Sequence, residues 1–180
     1  VLWHGLPWHG GKEAMMLKSL TVSEPFASLI VGGDKWVENR VWDCSYRGEL
    51  AIHAGRGTQY MPPADLRRKF PHAGSIIGVG VVVGCVSRDS ILESAEVERS
   101  GRVASTIPTG VPWKSWRRLA VHRHVCGEFC ILLAARVVKL PEPVPCRGLQ
   151  KIWAADPDVE ARVRAQMPAD WSEYVDEVRP

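Results

Sequence analysis

Leu17, Leu20 and Val22 are spaced among Lys18, Ser19 and Thr21 in a pattern that suits a short strand. Ser23, which follows, is a good helix cap. The period then changes: Phe26, Leu29 and Ile30 fall at i, i+3 and i+4, one face of a helix, with Glu24 and Pro25 in its first turn. Gly32 and Gly33 end that helix. β-compatible alternation returns from Lys35 to Trp42, turns at Tyr46-Arg47-Gly48, and resumes as a strand from Glu49 to Ala54. Pro62 to Phe70 starts on proline and is charged, which predicts a surface helix. Ile76 to Val86 reads as a buried strand whose glycines permit a bend or a close backbone approach. Asp89 to Arg99 is helical or irregular, and Cys130 to Val138 is a second continuous apolar strand. Leu140 to Pro145, with Pro141, Pro143 and Pro145, predicts an extended connection outside regular structure. From Asp156 onward the chain is helix-prone and acidic.

Short strands separated by turns, with a few helices between them, describe an α+β domain built on a small, partly open β-barrel with flanking helices. A chain of 180 residues, 46% of them apolar, can bury one core and is short for two. The pattern divides it into an N-terminal extension over residues 1–14, a domain over 15–155 and an acidic helical tail over 156–180. No repeat or low-complexity tract argues for a solenoid. The longest apolar run, Ser75 to Val86, falls short of the roughly 20 residues that span a bilayer, so no membrane partner is expected. Five cysteines, Cys44, Cys85, Cys126, Cys130 and Cys146, form an odd set without a secretory leader, which implies free thiols and a cytoplasmic setting.

Charge matters through its distribution. Lys and Arg outnumber Asp and Glu by only 23 to 20. Between Glu98 and Glu128, however, there is no carboxylate, and Arg99, Arg102, Lys114, Arg117, Arg118 and Arg123 stand there with Trp113 and Trp116 among them. Cations interleaved with flat aromatics suit single-stranded nucleic acid, whose bases gain about 1–3 kcal/mol each by stacking. The alternative makes both tryptophans core residues and pairs the arginines with the acidic tail.

The densest polar constellation is Gly33-Asp34-Lys35-Trp36-Val37-Glu38-Asn39-Arg40. Alternation sets Trp36, Glu38 and Arg40 on one face, and a twist or bulge would bring Lys35 to it. Lys35 could meet a phosphate or act as a base, Arg40 could fork onto a phosphate, and Glu38 could hold either cation or move a proton. The plainer alternative is an exposed salt-bridge network. His53 is either a buried structural histidine or a cleft residue for acid–base work. Ser23 and Tyr46 are candidate cleft hydroxyls with structural alternatives. His122, His124, Cys126 and Cys130 are residue types that zinc accepts, but the spacing fits no standard finger, and Cys130 opens an apolar strand, so no metal is expected. No GxSxG elbow, P-loop, HExxH or dinucleotide fingerprint is present.

Leu20-Thr21-Val22-Ser23-Glu24-Pro25-Phe26, then Gly33, Lys35, Glu38 and Arg40, then Arg47-Gly48 and Ile52-His53-Ala54, resembles the opening of ASCH domains, with their GxKxxExR element, RG turn and IHA-type strand. Gly78-Val79 with Cys85-Val86 is similar to that family's middle strand, and Pro141 to Gly148 with Gln150 and Trp153 to its closing segment. The resemblance implies a PUA-like barrel, a cleft lined by Lys35, Glu38 and Arg40, and a nucleic-acid or modified-nucleoside ligand. Some relatives are amidohydrolases on acylated cytidine, some are ribonucleases and others bind only. Glu38 stands where the hydrolase pattern has a hydroxyl residue, and Cys130 where many relatives have an aromatic.

The functional expectation is a monomer without cofactor that binds single-stranded RNA or a nucleoside, with DNA as a further ligand, through Lys35, Arg40 and the Trp113 to Arg123 segment. One alternative is a hydrolase of RNA phosphodiesters or acylated cytidine with Lys35 and Glu38 catalytic. The other is an interaction module that docks an acidic protein.

Overall fold

The valine- and glycine-rich run is the strand on which the rest is assembled. The computed structural model describes residues 16–89 and 127–178, and in it this run is β4 (Ser75–Ser87), 13 residues long and buried along nearly its whole length. Ile76, Val79, Val81 and Val83 point into one apolar cluster and Ile77 and Val82 into another. A strand buried on both faces has no polar positions to alternate, which is why its sequence reads as continuous.

Along one edge of β4 runs β3 (Gly48–Gly55), antiparallel. The other edge is shared: β6 (Val138–Pro145) pairs with the first half of β4 and β5 (Phe129–Leu133) with the second. β1 (Lys18–Ser23) lies parallel to β3, β2 (Val37–Arg40) antiparallel to β5, and β7 (Ile152–Ala154) antiparallel to β1. The described residues thus form a seven-stranded sheet of order β2-β5-β4-β3-β1-β7, with β6 beside β4. The backbone ladder leaves β2 and β7 as its two ends, so the expected barrel is not closed by strand pairing.

Helix α1 (Phe26–Val31) buries Ala27, Ile30 and Val31 against one face, where Leu20, Val22, Leu50 and Ile52 meet them. Its cap differs from the expected one. Ser23 stays in β1, and the Glu24 carboxylate accepts from the Ser28 N–H at 3.1 Å. Glu24 is fully buried and also accepts from Ser28 Oγ at 3.0 Å and His72 Nε2 at 2.8 Å. A carboxylate serves a helix start as a hydroxyl does, with the added attraction of the dipole. α2 (Pro63–Lys69) lies on the surface with only Leu66 buried.

The proline-rich segment read as a connection is instead β6. It is an edge strand and its ladder is broken: Ser75 and Ile76 face Pro145 and Val144, Gly78 and Val79 face Lys139 and Val138, and the register shifts between them. The Glu142 N–H, inside that break, donates to Gln166 Oε1 at 2.8 Å. Proline survives in a strand where the missing donors are not needed. The apolar run from Cys130 likewise ends at Leu133 and turns before β6, with the Arg136 N–H donating to Tyr174 Oη at 3.0 Å.

After β7, α3 (Pro157–Arg164) and α4 (Trp171–Val178) place Val163, Trp171 and Val175 in the first cluster. Glu49 Oε1 on β3 accepts from Arg164 Nη1 and Trp171 Nε1, both at 2.6 Å. Asp170 pairs with Arg136 at 2.9 Å and Glu160 with Arg164 at 3.4 Å. Of the Asp89 to Arg99 reading all but the first residue lies outside the described residues, as does the 1–14 extension. No helix among the described residues is long and apolar enough to cross a membrane.

Candidate functional site

Between α1 and β2 the chain makes a tight turn at Gly33, whose φ of +83° favours glycine. The Asp34 and Lys35 N–H groups both donate to Leu29 O, at 2.9 and 3.1 Å. This turn directs Lys35 inward. The residue is 2% exposed, and Nζ donates to Val37 O and to Glu38 Oε2, the latter at 2.6 Å. Glu38 Oε1 lies 3.0 Å from Arg40 Nη2. Glu38 and Arg40 share a strand face as alternation requires, and the turn supplies Lys35 to it. The exposed-network alternative is therefore corrected: Glu38 is 8% exposed and the lysine is buried deeper still.

Arg40 also links β2, at one end of the sheet, to β1, the strand next to the other end. It closes β2, while Thr21 lies one residue beyond the stretch of β1 that pairs with β7. Arg40 Nη2 donates to Thr21 O at 2.8 Å.

Aromatic rings flank both cations. Lys35 Nζ is 5.6 Å from the Phe26 ring centroid and Arg40 Cζ 5.8 Å from that of Trp42. Tyr60, from the β3–α2 connection, packs edge-on against Phe26 at 4.9 Å and is 55% exposed. Beside it Gln59 Nε2 donates to Ser23 Oγ at 3.3 Å, which brings Ser23 to the rim. The Tyr46 hydroxyl donates to Glu49 O at 2.5 Å at the start of β3.

His53 is 3% exposed on β3, and its Nε2 lies 3.2 Å from Cys146 O. A carbonyl only accepts, so Nε2 carries the proton. Burial lowers its pKa from the ordinary 6.5, and the nearby Arg56 adds to this against the opposing pull of backbone carbonyls. The folded state therefore resists charging His53, so its contribution to stability is present above pH 6.5 and is lost as pH falls from there through the lowered folded value. Thermal melts of the wild type are expected to fall over this window, and those of His53→Gln to fall less steeply. Equal slopes would show that other groups set the acid limb.

Trp113, Lys114, Trp116, Arg117, Arg118 and Arg123 lie outside the described residues, as do His122, His124 and Cys126. Cys130 is fully buried in the core. Burial pushes the Cys85 thiol up to about 12 and raises Cys44 and Cys146 as well, which makes them packing groups rather than nucleophiles.

Sequence reasoning missed the other polar face of β1. Ser19 Oγ, Thr21 Oγ1, His53 Nδ1, Trp153 Nε1 and Arg40 Nε are buried without a hydrogen-bond partner. Ser19 pairs in register with Trp153, and Thr21 with His53. The signal was present: Ser19, Thr21 and Ser23 alternate with Leu20 and Val22, which sets three hydroxyls on one face of a buried strand.

The model of the ASCH domain matches residues 20–126. The chain belongs to this family. Among solved structures, the ASCH protein of Zymomonas mobilis is similar to this ASCH domain at 14% identity, with 83% of this chain and 94% of that chain covered and a TM-score of 0.45. A tyrosine-to-phenylalanine variant of the Zymomonas mobilis protein gives 16% identity, 83% and 97% coverage and a TM-score of 0.47. Its serine-to-alanine variant gives 16%, 83%, 95% and 0.45. No curated protein matches the sequence.

Proposed function

We propose that this ASCH domain binds RNA, or a modified nucleoside, at the cleft beside Lys35, Glu38 and Arg40. The observation that carries the reading is the way Glu38 holds two cations between aromatic rings at the seam of the sheet. Lys35 is committed to Glu38 and Val37 and sets the field of the cleft. Arg40 keeps 20% of its side chain exposed and has a five-donor fork, of which Nη2 serves Glu38 and Thr21. Its remaining donors take phosphate or a base edge, while Tyr60 and Trp42 offer stacking surfaces. On this reading the curled sheet is a PUA-like barrel parted at the β1/β2 seam, and Trp113 to Arg123 extends the footprint.

Anisotropy titration of a labelled single-stranded RNA tests this at about 50 and 200 mM salt, the range over which phosphate contacts reveal themselves. Binding should weaken steeply with salt. Arg40→Ala should bind about tenfold more weakly, with a salt slope shallower by about one. If the wild type binds no RNA at the lower salt, the RNA reading is wrong and a small nucleoside ligand or docking of an acidic protein takes its place. The hydrolase alternative uses the same cleft. Because Nζ donates to two acceptors, Lys35 there would steady developing negative charge rather than remove a proton. Cleavage of bound RNA that disappears in Lys35→Ala would select it.

A further inference from the structure

Buried polar groups are almost always paired, and each unpaired one destabilises the fold. Among the described residues the unpartnered atoms are concentrated in one place. Ser19 is fully buried and His53 nearly so, and with Thr21 and Trp153 they form two adjacent register pairs across β1, β3 and β7. Arg40, which holds Thr21 O, links this face to the Lys35–Glu38 network.

The four groups differ in what they ask of a partner. Indole Nε1–H of Trp153 can only donate. His53 Nδ1 can only accept, because Nε2–H is spent on Cys146 O. The hydroxyls of Ser19 and Thr21 do either, and they stand about 7 Å apart along the strand. A planar ring with a carbonyl oxygen and an N–H on its edge satisfies this set. The Trp153 ring, edge-on to His53 at 5.9 Å, gives such a ring an apolar wall.

What covers the face is the segment 146–151. Gly148 lies directly on it: a Cβ there would stand 2.4 Å from His53 Cε1, 2.6 Å from Nδ1 and 2.7 Å from Thr21 Oγ1. Only a glycine permits this approach. The segment is tied down by the His53–Cys146 contact and by the Cys146 N–H, which donates to Gly74 O at 3.2 Å.

We propose that Ser19, Thr21, His53 and Trp153 form a closed pocket for one unstacked base of the bound nucleic acid, and that the 146–151 segment lifts to admit it. The pocket rests on the reading of the neighbouring cleft as a nucleic-acid site. It recognises a nucleobase edge that carries a carbonyl beside an N–H, while Arg40 holds the phosphate at the seam. The unpaired atoms make the closed form less stable than it could be, and a base that pairs them offsets the cost of opening.

The test exploits that conflict between stability and binding. Thr21→Val is nearly isosteric and removes one orphaned hydroxyl. It should raise the thermal midpoint of the free protein by about 2–4 °C and weaken single-stranded RNA binding tenfold or more. Ser19→Ala should act in the same direction. The indole Nε1–H resonance of Trp153, assigned by its loss in Trp153→Phe, should shift when uridine or guanosine is titrated in. RNA that binds wild type and Thr21→Val equally overturns the pocket and leaves the cleft reading standing. A lower midpoint in Thr21→Val with unchanged binding also overturns it, since the hydroxyl would then be satisfied by a bridging water. If the wild type binds no RNA, the RNA reading of the cleft fails by itself, and the indole titration decides the pocket: a resonance unmoved by millimolar nucleoside overturns it.

Discussion

Replacing Glu38 by alanine is expected to cost about 3–5 kcal/mol of stability, the range for stranding a buried charge. The carboxylate is shared by Lys35 Nζ at 2.6 Å and Arg40 Nη2 at 3.0 Å. With it gone, Lys35, 2% exposed, keeps the Val37 carbonyl as its hydrogen-bond acceptor among the described residues, and Arg40 keeps Thr21 O. Two cations then face each other without an anion between them. The cations are not equivalent to the carboxylate in this respect. Lys35→Met leaves Glu38 paired with Arg40, and Arg40→Met leaves it paired with Lys35, so each should cost less than Glu38→Ala. Urea midpoints with unchanged m-values give the three numbers directly. A Glu38→Ala cost under about 1 kcal/mol would mean that water screens the network as it screens surface pairs. Any loss of RNA binding in that variant must be read beside its stability, which is why Arg40→Ala, on the better exposed partner, is the binding probe.

The sequence made much of this legible, and the limits have physical reasons. Strand and helix positions followed where the local signal was unambiguous, as with the alternation of β3, the continuous apolar run of β4, the helical spacing of α1 and the proline start of α2. They failed where a tertiary partner replaced a local rule. The three alternate prolines of β6 deny a strand by propensity, yet the segment lies at an edge, its ladder is broken, and Gln166 takes the stray Glu142 N–H. The cap of α1 was assigned to the hydroxyl next to it in sequence, whereas buried Glu24 does that work because His72, far along the chain, also bonds it. In the site, Glu38 and Arg40 followed from alternation. Burial of Lys35 did not, because it depends on a turn at Gly33 and on a ring from α1. The contact between Arg40 and Thr21 was illegible for a deeper reason: it joins strands that are distant in the sheet order, and no local pattern reports such a meeting.

Gly78→Val is expected to destabilise the protein by about 3 kcal/mol or more, and Gly78→Ala by about 1–3 kcal/mol, the range for overfilling a packed interior. A Cβ at this position would lie 2.7 Å from Val31 Cγ2 and 2.8 Å from Val138 O. One neighbour is a side chain of α1 and the other is backbone of β6, so relief requires the helix or the edge strand to move. Glycine weakens most strands, but here it sits beside the register shift of the β4–β6 ladder and lets two elements close on the sheet. Gly80, two residues on in the same strand, is the control. Its nearest neighbour would be Val137 Cγ2 at 3.4 Å, ordinary contact, so Gly80→Ala should stay within about 1 kcal/mol of wild type. Val31→Ala in the Gly78→Ala background should recover part of the loss, since it clears the helix side and leaves the Val138 carbonyl in place. The coupling between the two substitutions measures how firmly α1 is set by this contact. It bears on function because α1 carries Phe26 and leads into the turn that buries Lys35, so a displaced helix loosens the cation pair. Weaker RNA binding by Gly78→Ala, recovered with Val31→Ala, would tie the middle of β4 to the cleft through the helix. Equal costs at Gly78 and Gly80 would show that the helix position is fixed elsewhere.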